Sequence, residues 1–318
     1  YLQAASVKLD MPLDFSISRE LVCLKNAVAT VNGMELLLNG WVKTDTVNGD
    51  MITDLAYSLE SWPIKGVTAL IPPSYTSYLE GIDIDGLVSS NGTIKGIMND
   101  SLMPLMDIKL KMDGGSLKYT DFPIPLHDMS GSIDLYTDLA NDKISFLKIN
   151  NFAAKTPRSS FAVEGIVRQL VSDISCDLTT TAGITVDEFE SMIPDSLDME
   201  VKGRVSGKVK SVFTLSQLEK MQIEKMRFSG SLRLSDFFAE YDSMIVKTHR
   251  SEIDFSVPNA KPASKATRFA YAEINMNDFT TEVPGSYNAF LKNASLTLET
   301  SDARDTTRIP DLDRKSVV

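Results

Sequence analysis

"DMEVKGRVSGKVK", running from Asp198 to Lys210, decides the fold class. Every second residue is charged or polar: Asp198, Glu200, Lys202, Arg204, Ser206, Lys208 and Lys210. Between them stand Met199, Val201, Gly203, Val205, Gly207 and Val209. A strict period of two marks a β-strand, whose successive side chains point to opposite sheet faces. One face is a row of charges suited to water, and we read it as a solvated strand face. The other is apolar but shallow, because glycine takes Gly203 and Gly207. At about 3.3 Å per residue the stretch reaches roughly 40 Å, long beside the usual strand of about five or six residues. Glycine weakens a strand and so asks for a reason. Either the sheet bends sharply there and a neighbour packs into the gap, or the gap holds hydrocarbon from another molecule. A curled sheet is compatible with both.

The same alternation recurs along the chain. It marks strands over Met34–Asp45, Met51–Leu59, Ile82–Gly96, Asp107–Phe122, Gly131–Tyr136, Ile144–Phe152, Ser159–Leu170, Ser172–Thr181, Phe228–Phe237, Ser251–Val257, Arg268–Met276 and Asn293–Thr300. Asn48-Gly49-Asp50, Asp113-Gly114-Gly115 and Asn141-Asp142 read as turns between them. Helical patterns are short. Thr185–Pro194 carries a capping-box spacing from Thr185 to Glu188, Thr214–Met221 repeats it from Thr214 to Gln217, and Pro63–Ile71 is stopped by Pro72-Pro73. None is long enough to stand alone, so each must pack on a sheet.

Landmarks also repeat in order. "LLLNGWVKT" (Leu36–Thr44) matches "FAVEGIVRQ" (Phe161–Gln169), and "TALIPPS" (Thr68–Ser74) matches "ESMIPDS" (Glu190–Ser196). Gly86 and Gly92 correspond to Gly203 and Gly207. "GSLKYTDF" (Gly115–Phe122) matches "GSLRLSDF" (Gly230–Phe237), and "SIDL" (Ser132–Leu135) matches "EIDF" (Glu252–Phe255). This gives the end of a preceding repeat over 1–33, one repeat over 34–158, a second over 159–266 and an incomplete third over 267–318, all in one continuous sheet. Short connections imply that successive strands are neighbours, hence a meander.

The bulk properties narrow the function. The chain has 318 residues, is 43% hydrophobic and 24% charged, and carries a net charge of −11. An acidic surface repels a phosphate backbone, which argues against a nucleic-acid partner. No apolar run is long enough to span a membrane as a helix. The opening at Tyr1 and the abrupt end at Val318 read as a piece cut from a longer protein, with any anchor outside it. Cys23 and Cys176 lie outside any CxxC; they are either small buried hydrophobes or a pair. His127 and His249 have no second ligand nearby, so neither a metal nor a catalytic role is expected. Asp83/Asp85 lie on the outward face of a strand, and Asp187/Glu188 start a helical segment. No phosphate-binding loop or nucleophile elbow is present. The chain reads as non-enzymatic, with no cofactor.

The order "LNGWVKTD … ALIPPS … IDGLVSSNGTIKG … DIKLKMDGGSLKYTDFPIPLHDMSGSI … FLKINNFAAKTPRSSFAVEGIVRQL" resembles the AsmA-like family of bacterial envelope proteins, the group that includes TamB. Its most specific part is Gly115–Ile133: Gly115, Leu117 and Tyr119, then Pro123-Ile124-Pro125-Leu126, Asp128 and Gly131, followed by Phe161–Gly165. The second copy has Phe237-Phe238-Ala239 where the first has Pro-Ile-Pro, so its hairpin should differ. The resemblance implies a repeated antiparallel sheet curled into an elongated open groove, apolar inside, akin in principle to the bridge-like lipid transfer proteins. It implies an inner-membrane anchor outside this fragment, a periplasmic location in a Gram-negative bacterium, and a part in phospholipid transport and outer-membrane biogenesis. The partners it implies are a phospholipid or other acyl-chain lipid, the inner membrane, and other envelope proteins.

Alternation gives the candidate groove lining: Leu36, Leu38, Ile82, Ile84, Val88, Ile94, Leu117, Tyr119, Phe161, Val163, Val167, Met199, Val201, Val205, Val209, Leu232 and Leu234. Taken singly, each also fits an ordinary core. Two other functions compete. One is a structural β-repeat scaffold that fills its own core and binds envelope proteins along its edges. The other is a carbohydrate-active β protein, disfavoured because only Trp41 and Trp62 offer stacking platforms.

Overall fold

The structure is a computed structural model, and it describes residues 7–10, 13–16, 20–45, 47–68, 81–99, 102–120, 122–138, 141–192, 199–258, 270–300 and 312–315. It is mainly β and antiparallel, as the alternation predicts. The chain divides into two compact units, Tyr1–Lys155 with Glu164–Ile174, and Thr156–Val163 with Ser175–Val318.

In the first unit, β1 (Val7–Asp10) and β2 (Leu13–Ser16) both pair with β3 (Leu21–Val31). From β3 a meander runs through β4 (Met34–Thr44), β5 (Met51–Pro63), β6 (Ile82–Met98), β7 (Leu105–Tyr119) and β8 (Phe122–Thr137) to β9 (Phe146–Lys155). The strand β10 (Ser160–Arg168) gives its first residues to the second unit and its last to the first. In the second unit the order is β11 (Ser175–Thr185), β12 (Met199–Thr214), β13 (Arg227–Tyr241), β14 (Met244–Val257), β15 (Ala270–Val283), β16 (Tyr287–Thr300) and β17 (Leu312–Lys315), each antiparallel to the next. The strands belong to one sheet, and no pairing among the described strands joins the first and last members of the meander, so the sheet is not closed.

The strands are long: β6 has 17 residues, and β8 and β12 have 16 each. Tight turns set their register. Asn32 (φ 50°) and Gly33 (φ 82°) connect Val31 to its partner Met34, the two positive φ values that a type I′ hairpin requires. Asp242 (φ 45°) and Ser243 (φ 67°) do the same between Tyr241 and Met244.

Bulges interrupt the ladders. The β3–β4 register shifts between Leu24 and Ala27, the β5–β6 register between Leu59 and Trp62, and the β12–β13 register between Lys202 and Arg204. At each shift one residue other than glycine adopts a left-handed backbone: Asn26 (φ 49°), Ser61 (φ 55°) and Asp236 (φ 46°). Asn and Asp tolerate that region because a short polar side chain costs least there. The displaced amides are caught across the strand: Asn26 N donates to Asn39 Oδ1 at 2.8 Å, and Ser61 N to Ser89 Oγ at 3.1 Å. Bulges bend a strand and add twist, so these are the points at which the sheet bends.

Several expectations are corrected. Asp113-Gly114-Gly115 is not a turn; it lies inside β7, where Gly114 (φ 66°) forms a bulge against β6. Thr185–Pro194 is not a capped α-helix. Val186–Met192 is a 3-10 segment, and Thr185 ends β11 with its Oγ1 donating to the Arg158 carbonyl at 2.9 Å. Pro194 lies outside the described residues. Near Pro63 the helix α1 covers Ile64–Thr68, and Pro72-Pro73 fall outside the described residues. By contrast α2 (Leu215–Glu219) has the expected box: Thr214 Oγ1 accepts from Gln217 N, and the Gln217 side chain accepts from Thr214 N. The hairpins of the two copies do differ. Tyr119 and Phe122 pair across a turn, whereas the matching residues of β13 run on as strand to Tyr241.

Candidate functional site

Cross-strand partners point to the same side of a sheet, so the register shows which residues share a face. In the first unit Leu36 pairs with Leu59, Leu38 with Tyr57, and Leu55 with Ile94. Val88 lies between Trp62 and Met112, Ile84 opposite Leu117, and Ile82 opposite Tyr119. The face continues through Leu110 and Ile133 to Ile149. The opposite face carries the charges. There Lys95 meets Asp54 at 2.8 Å, Lys111 and Asp113 lie 3.9 Å apart, and Lys65 of α1 reaches Asp83 and Asp85 at 3.3 and 3.5 Å.

One part of the apolar face is closed. Trp62, Ile64, Val88, Met112 and Met129 form a buried cluster, with Leu36, Leu59, Ile84 and Leu117 among the side chains packed against it. Trp62 is only 4% exposed, and its indole N–H donates to the Glu35 carbonyl at 2.7 Å. It is therefore core and not a sugar platform. Hydroxyls on this face are internally satisfied: Tyr57 donates to Ser90 Oγ (2.9 Å), and Ser90 donates to the Lys109 carbonyl (3.0 Å). Beside the cluster, Ile82, Leu117, Tyr119, Phe122 and Leu126 line an open cavity of about 510 Å³. That volume lies in the range of small-molecule sites, roughly 300–1,000 Å³. Sequence reading names Ile82, Leu117 and Tyr119 and misses Phe122 and Leu126, because the Pro-Ile-Pro stretch that carries them breaks the alternation.

In the second unit Met199 pairs with Tyr241, Val201 with Ala239, Val205 with Leu234 and Ile184, and Gly207 with Leu232. Leu232 continues to Ile253, then Ile274, then Leu296. Met199, Val201, Val205, Val209, Leu232 and Leu234 therefore share one face. Its apolar strand residues are half-buried or exposed; the buried hydrophobic residue described in this unit is Met226, which precedes β13. No charged residue is buried anywhere among the described residues. Phe161 stacks edge-on with Phe189 (centroids 6.4 Å apart, planes at 82°), while Val163 and Val167 are half-buried on β10.

The gaps left by glycine in β12 are filled by the adjoining strand. A Cβ on Gly203 (φ 110°) would lie 2.5 Å from the Asp236 carbonyl oxygen and 2.8 Å from Phe237 Cα, and one on Gly207 would run into the Ser231 carbonyl. Gly86 (φ 132°) matches Gly203: its Cβ would meet Gly115 Cα at 2.7 Å. Hydrocarbon does not occupy these positions. Close backbone approach accounts for them, at a bulge for Gly203 and Gly86 and within a regular ladder for Gly207.

A polar node sits at Glu188. Its carboxylate accepts from Ser159 Oγ (2.5 Å), Thr156 Oγ1 (2.7 Å) and Arg158 N (3.0 Å). Burial pushes its pKa up, but these hydrogen bonds, the nearest from Ser159 and Thr156, and the Arg158 charge outweigh burial and hold it below the ordinary value. Asp187 takes Arg158 Nη1 at 2.6 Å. Both carboxylates are thus committed to the loop between β9 and β10. His127, half-buried, lies 3.4 Å from the exposed Asp128, and His249 lies 2.6 Å from Asp236, both exposed. Cys23 and Cys176 are free thiols, each half-buried, and burial raises the Cys176 pKa. Among the described residues no acidic, histidine and cysteine cluster suits a metal ion, and no helix is long and apolar enough to cross a membrane. No family model, no curated protein and no solved structure matches the chain.

Proposed function

We propose that the chain is a non-enzymatic lipid-binding or lipid-transfer module of a cell-envelope protein, as its resemblance to the AsmA-like family implies. Acyl chains lie along the apolar sheet faces, and charged headgroups stay in water. In this reading the bent sheet forms an open groove. The intact protein is anchored in the inner membrane of a Gram-negative bacterium, works in the periplasm, and supports phospholipid homeostasis or outer-membrane assembly. One observation carries the reading. The second unit has an apolar face through β11–β16 whose described apolar side chains are half-buried or exposed. Partly exposed apolar surface of this kind marks a binding surface or an aggregation hazard. Each methylene placed on it contributes about 0.8 kcal/mol, so a single tail supplies ample driving force.

The test is native mass spectrometry of the purified chain with organic extraction of whatever travels with it. Phospholipid or fatty acid at defined stoichiometry is expected. A chain that carries no lipid and takes up no fluorescent fatty acid overturns the reading. The scaffold alternative is favoured by β16, where Tyr287, Phe290 and Leu291 are exposed. It predicts a lipid-free chain that captures a protein strand instead.

A further inference from the structure

The outward face of the second unit carries a second surface. Arg204, Lys208 and Lys210 alternate along β12, a row that sequence alone reads as ordinary solvation. The register changes its meaning. Arg204 lies between Thr185 and Ser235, Lys208 between Thr181 and Ser231, and Lys210 between Thr179 and Ser229. Each cation of the row thus has a hydroxyl residue on either side. Ser206, the one uncharged place in the row, is opposite Arg233, and Arg250 is opposite Ser235. Five cations are drawn from three strands into one patch of a chain whose net charge is −11.

Glu252, Asp177 and Asp254 stand among the five cations. Arg233 and Arg250 share Glu252, at 2.9 and 2.6 Å, and two guanidiniums on one carboxylate leave a positive trio. Asp177 is 3.3 Å from Lys210, and Asp254 lies opposite Ser231. The side chains remain open to solvent, 55% exposed at Lys210, 54% at Arg233 and 53% at Arg250. Pairing at that exposure is weak and easily exchanged for another anion. The cations stand on a pleated strand face and enclose no small anion. Their complement is an extended array of phosphates.

We propose that this face docks on an anionic membrane surface, with Arg204, Lys208, Lys210, Arg233 and Arg250 against lipid phosphates and the flanking hydroxyls donating to phosphate oxygens. The choice of a membrane rests on the lipid-module reading above; the charge pattern itself does not. Basic groups gain from the negative potential of such a surface, and the attraction falls away within a Debye length, so attachment is reversible and salt-dependent.

The experiment is cosedimentation of the purified chain with vesicles of phosphatidylcholine alone or with added phosphatidylglycerol, across a range of salt. Partitioning is expected on the anionic vesicles, weakening as salt rises. The triple variant Arg204→Thr, Lys208→Thr, Lys210→Thr keeps β-forming residues on the strand and should lose about tenfold or more of that partitioning. The control Lys95→Thr, Lys109→Thr, Lys111→Thr in the first unit should keep it. Equal binding to neutral and anionic vesicles, salt-independent binding, or full binding by the folded β12 variant overturns the proposal. So does binding of polyglutamate, or self-association of the chain, without binding of vesicles. If the triple variant does not fold, the single substitution Lys208→Gln and the salt series on the unaltered chain decide. A chain that carries no acyl lipid yet binds anionic vesicles through these residues sinks the lipid-module reading alone; one that carries lipid but ignores anionic vesicles sinks the docking proposal alone.

Discussion

Gly203 combines a φ of 110° with a neighbouring backbone where a side chain would begin, and the two effects should add. Gly203→Ala is expected to cost about 3 kcal/mol, from left-handed strain together with overpacking against atoms that cannot rotate away. Gly33→Ala is the comparison. It also has a positive φ, but nothing lies within 4 Å of its Cβ, so about 1 kcal/mol is expected. Urea denaturation of both variants checks this, and equal losses would show that backbone packing is not the cause. Glu188 gives a prediction in pH. Its folded-state pKa is lowered, so its contribution is complete above the unfolded value of about 4.3 and is lost as pH falls through the lower folded value. Glu188→Gln should flatten that part of the acid limb in denaturation midpoints measured from neutral pH downward. It leaves the buried hydroxyls of Thr156 and Ser159 facing an amide. An unchanged acid limb would remove Glu188 from the account.

At the scale of single elements, β6 and β12 carry matching glycines, but their valines have different surroundings. Val88 is 7% exposed and packed with Trp62 and Met112, whereas Val205 is half-buried on a face with no closed cluster. Val88→Asp should cost more than about 3 kcal/mol, because a carboxylate has no partner in that cluster. Val205→Asp should leave circular dichroism and melting nearly unchanged while abolishing uptake of a fluorescent fatty acid. If both unfold alike, the second face is closed in solution. Thr214→Ala removes the capping hydroxyl of α2 and should cost about 1 kcal/mol. These elements also mark what was legible in the sequence. Alternation located β4 and the start of β12 almost to the residue, but it stopped at Lys210 where β12 runs on to Thr214. It failed at β3, where Lys25-Asn26 shift the phase in mid-strand. At Asp113-Gly114-Gly115 bulge and turn use the same residue types, since both need a left-handed backbone. Thr185 and Glu188 have the spacing of a cap, but Glu188 is taken by donors some thirty residues away in the chain, which spacing cannot foresee. The candidate lining residues were read by face. Which of them are buried was not, because a period of two says which way a side chain points and not what covers it.

For the whole molecule, the scarcity of buried apolar side chains among the described residues has a measurable consequence. Denaturant sensitivity scales with the surface exposed on unfolding. The slope of stability against urea should therefore fall below that of a compact protein of 318 residues, and an acyl-chain ligand should raise the midpoint with its concentration. A steep slope without ligand would mean that the apolar faces are covered. The left-handed bulge residues carry a last consequence. Sliding one long alternating strand past another by two positions keeps every oily side chain inward and every ion outward, so the pattern offers no protection against that error. Asn26, Ser61 and Asp236 act as the teeth of a ratchet: each fits one place on its neighbour and jams at the next.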